Sequence, residues 1–218
     1  MHRRGFLAGA SAAAATGAGF GAGLLPAGYA AAQADLLDDA GRSLLARLAQ
    51  PGVHAIMRHA IAPGTGDPAG FTLADCSTQR TLDREGRVQA VLTGRMLKMG
   101  RARFRLLLSS QWCRCLETAR LLGVGTVMEQ PALNSFIDAP DKAEAQTAEL
   151  RRLIDGASGT NTMMLVTHQV NISALLGGGA EEGEVIVFRG GEGQTPERLG
   201  SVRAPEVSAS ALKKPVTD

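Results

Sequence analysis

Aromatic side chains are scarce: the 218 residues include one Trp, one Tyr and six Phe. Stacking platforms for single-stranded nucleic acid or for sugars therefore have few residues to build on. An excess of one charge sign is also missing. Residues 1–34 hold Arg3 and Arg4 and no acid, and beyond them 21 basic side chains face 21 acidic ones. That body is formally neutral and has no general attraction for nucleic acid or anionic lipid. Only three cysteines occur, with no CxxC pair, which argues against zinc or a redox dithiol. With 44% hydrophobic and 20% charged residues and a mean hydropathy near zero, collagen-like, coiled-coil and disordered classes are excluded. No segment past residue 34 is long and apolar enough to span a bilayer. A small substrate, recognised locally, fits this profile.

The amino-terminal stretch has its own character. Arg3, Arg4, Gly5, Phe6 and Leu7 lead into an Ala/Gly-rich segment that ends Ala32, Gln33, Ala34 before Asp35. It resembles a bacterial twin-arginine export signal, with paired arginines for the receptor, a weakly apolar middle and small residues for a peptidase cleft. An uncleaved anchor is the competing reading, but Gly and Ala dominate where a stable span favours Leu, Ile and Phe. Cleavage after Ala34 leaves 184 residues, enough for one domain with a sizeable core and no stable membrane insertion. In an exported protein a disulfide, if formed, joins Cys76 to Cys113 or Cys115, and buried free thiols that simply pack are the other reading.

Periodicity alternates from there. Leu36, Leu37, Ala40, Leu44, Leu45 and Leu48 recur at helical spacing before Pro51 and Gly52. Val53 to Arg58 reads as a strand, and the Pro/Gly/Asp/Ala-rich stretch from Ala60 to Gly70 as a loop. Asp83 caps a helix whose Val88, Val91, Leu92 and Leu97 share a face, with Gly100 at an expected left-handed C-cap. Strands are expected at 105–109, 126–129, 163–167 and 185–188, and helices at 116–122, 141–154 and 170–176. A hairpin loop at 190–195 leads to an edge strand at 199–203, and the tail from Ala204 to Asp218 is polar. Alternation at these lengths implies one α/β domain over 35–203, a three-layer α/β/α sandwich around a mainly parallel sheet.

In such sheets ligands bind beyond the carboxyl ends of the strands. There the chain places Arg58 and His59, then Ser109 and Ser110 running to Arg114 and Thr118, then Thr167 and His168. Guanidinium forks match phosphate oxygens, and histidine can be nucleophile or cation near neutral pH. Two arginines and two histidines, with no balancing cluster of carboxylates in view, describe a pocket for a small dianion.

Arg58, His59, Ala60, the run Ser109, Ser110 to Arg114, Thr118, Ala119, and the pair Thr167, His168 resemble the motifs of the histidine phosphatase superfamily, the phosphoglycerate mutase-like proteins. The usual Arg, His, Gly is here Arg, His, Ala. The stretches Asp75 to Arg80 and Thr167 to Asn171 resemble an exported bacterial branch that includes lipopolysaccharide core heptose phosphate phosphatases. The resemblance implies a phosphoglycerate mutase-like fold and His59 as the nucleophile that takes the phosphoryl group. It also implies that Arg58, Arg114 and His168 hold the phosphate oxygens. No metal or organic cofactor is required, and the partner is a phosphorylated small molecule or envelope glycan. A neutral imidazole attacks best, so a cationic neighbour that lowers its pKa helps.

The leaving group needs a proton, and its donor is the open position. Family members supply a Glu after a Leu, Asn pair, where this chain has Leu133, Asn134, Ser135, or an Asp after the second histidine, where it has Gln169. The remaining acids are Asp138, Asp141, Glu181, Glu182 and Glu184. Glu184 is the first choice, because it precedes a strand expected to flank His168. A phosphohistidine imidazole or an anomeric phosphate as leaving group lessens the need for an acid. Arg80 either reaches the pocket or is solvated, and Asn171 either binds the ligand or faces a neighbouring loop. Ser109 and Ser110 orient the phosphate turn or merely cap a helix. His54 lies inside the strand and reads as packing. Arg95, Lys98, Arg101, Arg103 and Arg105 read as a solvated face. The competing function is a phosphate-ligand-binding protein or degenerate phosphatase that kept the pocket without efficient turnover.

Overall fold

The computed structural model describes residues 36–157 and 161–206. The expected export signal and the tail beyond Glu206 lie outside them. The described chain forms six strands and five helices: α1 Asp39–Ala46, β1 Val53–Arg58, α2 Arg84–Met99, β2 Leu106–Ser109, α3 Cys113–Leu122, β3 Val127–Glu129, α4 Ala143–Gly156, β4 Met163–Thr167, α5 Gln169–Leu176, β5 Val185–Gly191 and β6 Gln194–Val202. No described helix is long and apolar enough to cross a membrane.

One sheet holds all six strands in the order β3-β2-β4-β1-β5-β6. The first four are mutually parallel, while β5 runs antiparallel to β1 and β6 antiparallel to β5. Parallel strands buried on both faces need apolar residues at successive positions, and the alternation of side chains sorts them into two cores. Ala55, Met57, Met164, Val166 and Val187 join Leu45, Leu97 and Leu122 under α1, α2 and α3. Ile56, Leu108, Leu165 and Ile186 join Leu150, Ile154 and Ile172 under α4 and α5. This is the expected three-layer α/β/α arrangement around a mainly parallel sheet. Truncating a fully buried residue such as Leu97 to Ala costs about 2–5 kcal/mol.

Two local expectations change. Gly100 does follow α2, but at φ −72 it is not left-handed. Arg101 takes the left-handed conformation at φ +57, and Ala102 N–H closes the turn on the Leu97 carbonyl at 3.0 Å. Glycine is needed at 100 for space, since a Cβ there would come within 2.3 Å of the Leu45 side chain in α1. The last hairpin is also tighter than expected. Gly191 pairs with Gln194, and Glu192 and Gly193 between them both have positive φ, so β6 starts five residues early as a long edge strand.

Candidate active site

Adjacent strands β2, β4 and β1 carry the three motifs out of the sheet side by side. Arg58 is in register with Thr167, and Ser109 with Val166. The pairing continues one step beyond the strands: His59 N–H donates to the Thr167 carbonyl at 3.0 Å and Ser110 N–H to the Val166 carbonyl at 2.9 Å. His59, Ser110 and His168 therefore leave the same edge together, and the two imidazoles meet edge-to-face with centroids 5.5 Å apart.

His59 is 2% exposed, and its Nδ1 lies 2.8 Å from the Ala60 carbonyl. A carbonyl only accepts, so Nδ1 carries the hydrogen and Nε2 keeps the lone pair. Burial is the main force that lowers its pKa, to about 3; the Ala60 carbonyl opposes, and Arg114, Arg58 and Arg80 lower it further. The cationic neighbours thus contribute as expected, but desolvation does more. His168 is buried too. Its Nδ1 faces Arg114 Nη2 at 3.5 Å and its Nε2 lies 2.9 Å from Ser110 Oγ. Since a guanidinium only donates, His168 accepts at Nδ1 and donates from Nε2 to Ser110, which in turn donates to Asn134 Oδ1 at 3.2 Å. Burial, then His59 and the three arginines, hold His168 well below the ordinary histidine range. Both rings are neutral.

Arg58, Arg80 and Arg114 surround the pair, so Arg80 belongs to the cluster rather than to solvent. Carboxylates balance them, contrary to the sequence expectation. Arg114 Nη1 donates to both oxygens of Asp67, at 2.8 and 3.1 Å, with both side chains 5% exposed. Asp67 also accepts from Trp112 Nε1 and from Arg80 N–H, each at 2.9 Å. These hydrogen bonds outweigh burial and lower its pKa. Glu182 Oε1 lies 3.3 Å from Arg58 Nη2, 3.8 Å from Arg80 Nη1 and 3.9 Å from His59 Nδ1. Arg58 and Arg80 further donate to backbone carbonyls of Ala180, Gly66 and Ala62. Among the described residues the Nε atoms of Arg58 and Arg114 are buried without a partner. An unpaired buried donor costs about 1–3 kcal/mol, and here two occur in one cluster.

Glu182, and not the expected Glu184, faces the arginines. Glu184 Oε2 accepts from Glu181 N–H at 2.8 Å and so closes its own turn. Gly183 N–H donates to the Arg58 and His59 carbonyls, which pins the loop with residue 182 against the arginines. Gln89 in α2 supports both loops: its Oε1 accepts from Ile61 N–H and its Nε2 donates to the Glu182 carbonyl, each at 3.0 Å. Gly86 lets α2 approach this close, because a Cβ there would sit 1.9 Å from the Ile61 carbonyl oxygen. Asn171 braces a neighbouring loop, donating to the Asn134 carbonyl at 2.9 Å. Asp138 and Asp141 are exposed and have no described bond to the cluster.

Cys76 pairs with Cys113, while Cys115 is free and buried, its thiol pushed up to about 12 chiefly by burial. His54 is core packing: Met163 N–H donates to its Nδ1 at 3.2 Å and its ring tilts against Phe188. Asp67, Trp112 and Gln89 were not expected at the site. Their only sequence signal is polarity within segments otherwise read as loop or helix. Among the described residues no group of three or more His, Cys, Asp or Glu could hold a metal ion.

No protein-family model and no curated protein matches this chain. Solved structures do match. The protein histidine phosphatase SixA complexed with tungstate is 16% identical, with a TM-score of 0.53, over 69% of this chain and 96% of that one. Mycobacterial hydrolase 2 is 18% identical at a TM-score of 0.52, over 75% and 96%. A phosphoserine phosphatase variant from Entamoeba histolytica, in complex with phosphoserine, is 16% identical at a TM-score of 0.51, over 68% and 95%. At these identities the likeness shows the fold.

Proposed function

We propose that this protein is a phosphatase that transfers a phosphoryl group to His59 Nε2 and then to water. The observation that carries the reading is the cluster of a buried neutral imidazole, with its Nδ1 hydrogen fixed on Ala60, among three guanidiniums of which two keep an unpaired Nε. Nε2 attacks phosphorus, the bond to the leaving group breaks, and the leaving atom takes the electron pair. Arg58, Arg80 and Arg114 stabilise the charge on the transferring oxygens. His168 joins them by taking up a proton at Nδ1, which the arriving dianion favours, because the lone pair that accepts from Arg114 there cannot donate to a phosphate oxygen. Water then attacks the phosphohistidine and releases phosphate.

Glu182 is near the Nδ1 edge of His59 rather than its nucleophilic edge, so its part is to orient Arg58 and Arg80. The substrate is then one whose leaving group departs with little protonation, such as a phosphohistidine imidazole or an anomeric phosphate. Support comes from the fold neighbours that hold tungstate and phosphoserine. The twin-arginine-like start favours an exported enzyme acting in the periplasm on a small molecule or envelope glycan, and the Asp75 to Arg80 and Thr167 to Asn171 stretches favour the heptose phosphate branch.

A binding protein with little turnover is the second reading, favoured by Asp67 and Glu182, which already neutralise much of the cationic cluster. The test is phosphate release from sugar phosphates, heptose-containing core lipopolysaccharide and a chromogenic phosphate ester, with thermal stabilisation by vanadate measured in parallel. Release that vanishes in His59→Ala supports the phosphatase. Stabilisation without release supports the binding protein.

A further inference from the structure

At the opposite edge of the sheet from the histidines, the amino end of β2, the chain turns cationic. Five of the 21 basic side chains beyond residue 34 fall within positions 95–105, and no acidic residue occurs between Glu85 and Glu117. The other 16 face all 21 acids, so the molecule is electrically polarised although formally neutral. Backbone geometry organises the five. Arg95 and Lys98, three apart on α2, share a face. After the left-handed turn at Arg101 the chain alternates: Ala102 and Phe104 pack against the core, while Arg101, Arg103 and Arg105 are exposed on the other side. Arg105 N–H donates to the Thr162 carbonyl at 2.9 Å, and Thr162 Oγ1 donates to the Leu48 carbonyl at 3.0 Å. These bonds bring the turn that carries Arg47 onto the same edge. Among the described residues none of these cations forms an ion pair with a carboxylate.

We propose that this strip seats the protein on an anionic phospholipid surface, with the histidine cluster at the end turned away from the lipid. A row of guanidiniums without an apolar centre lacks the buried anchor that a protein partner would need. It also lacks aromatic platforms for unpaired bases: Trp112 is buried and Phe104 packs inward. Without either, a plane of phosphodiesters satisfies an exposed row of cations that have no carboxylate partner, and its attraction is confined to about a Debye length. With the cluster facing away, the substrate arrives from the aqueous side and not from the same lipid plane. The proposal does not depend on the chemistry at His59.

The test is co-flotation of the full chain with phosphatidylcholine vesicles containing or lacking phosphatidylglycerol, beside the variant Arg101→Gln, Arg103→Gln, Arg105→Gln. Both proteins keep Arg3 and Arg4, so those charges cancel in the comparison. All three side chains are exposed, and an unchanged melting temperature and circular dichroism spectrum establish that the variant is folded; should it misfold, Arg103→Gln with Arg105→Gln replaces it. The expected result is binding that needs phosphatidylglycerol, weakens as salt rises from 50 to 300 mM, and falls at least about tenfold in the variant. Binding to pure phosphatidylcholine, or binding equal in wild type and variant, would overturn the proposal. So would retention on heparin with no binding to anionic vesicles, which would assign the strip to a soluble polyanion.

Discussion

Arg114 rests on Asp67 through two hydrogen bonds from one nitrogen, 2.8 and 3.1 Å long, between side chains that are both almost wholly buried. The contact joins residue 67, in a loop with no recognisable pattern, to the helix that begins at Cys113. It leaves Arg114 Nη2 facing His168 and Nε unpaired. A guanidinium with one end tied down loses less freedom when its other donors meet an anion.

Asp67→Asn should therefore act twice. Removing one partner of a buried pair leaves the other charge uncompensated and costs about 3–5 kcal/mol, read as a lower denaturation midpoint. Phosphate release should fall as well, because Arg114 is no longer held toward His168. Unchanged stability and unchanged release together would show that the contact positions nothing.

Glu182→Gln and Glu184→Gln separate the two acids of one loop. Glu182 touches Arg58 and Arg80, so its amide variant should lower kcat/KM for a phosphate ester at least about tenfold, the equivalent of about 1.4 kcal/mol. Glu184 serves its own turn, and Glu184→Gln should leave kcat/KM within about twofold. The reverse ranking, measured by steady-state kinetics, would return the role to Glu184.

The nucleophile has the simplest expectation. His59→Ala should abolish release, and Arg114→Ala should cost several kcal/mol of transition-state stabilisation. Trapping the phosphoryl group by rapid acid-free quench and intact-mass measurement should add one phosphate to the wild type and none to His59→Ala.

What the sequence made legible divides along physical lines. The layers and the placement of Arg58, His59, Arg114 and His168 follow from periodicity and from where strands end, both local properties; strand order does not, and β5, expected beside the strand of His168, pairs with β1 instead. Glu182 was visible as an acid near the right strand, but whether residue 182 or 184 faces the arginines depends on Gly183 N–H bonding back to Arg58 and His59. Asp67 reaches Arg114 across 47 positions, and nothing in the Ala60 to Gly70 composition encodes that contact. Gly100 stands at the helix end that the pattern marks, but the Leu45 side chain, out of reach of any local pattern, and not backbone conformation demands the missing Cβ.

Acid should weaken the fold through its buried histidines. His54 and His59 have folded-state pKa values of about 4 and about 3, and His168 lies well below 6.5, burial being the main cause in each. The unfolded chain takes up these protons near pH 6.5 while the folded chain does not. Stability is thus full above about 6.5 and falls with pH by up to about 1.4 kcal/mol per unit for each group, down to about 4 for His54 and about 3 for His59. Urea midpoints measured from pH 7.5 to 4.5 should decline below 6.5. His54→Phe, provided it folds, should flatten that decline by one proton.

The disulfide should matter for stability more than for catalysis. Cys76 and Cys113 close 37 positions of chain and tie the exposed loop to the residue before Arg114. On the chain-entropy account a loop of that length stabilises by about 3–4 kcal/mol. Asp67 independently holds the same loop to Arg114 and Trp112, so the site should keep its geometry without the covalent link. Cys76→Ser is thus expected to lower the denaturation midpoint by that amount while kcat/KM stays within about twofold under conditions where both proteins are folded. Reductant should destabilise the wild type equally and leave Cys76→Ser unmoved, because Cys115 is buried and takes no part. A large rise in KM in the folded variant would instead make the disulfide a second support for Arg114, and would shift the burden of positioning away from Asp67.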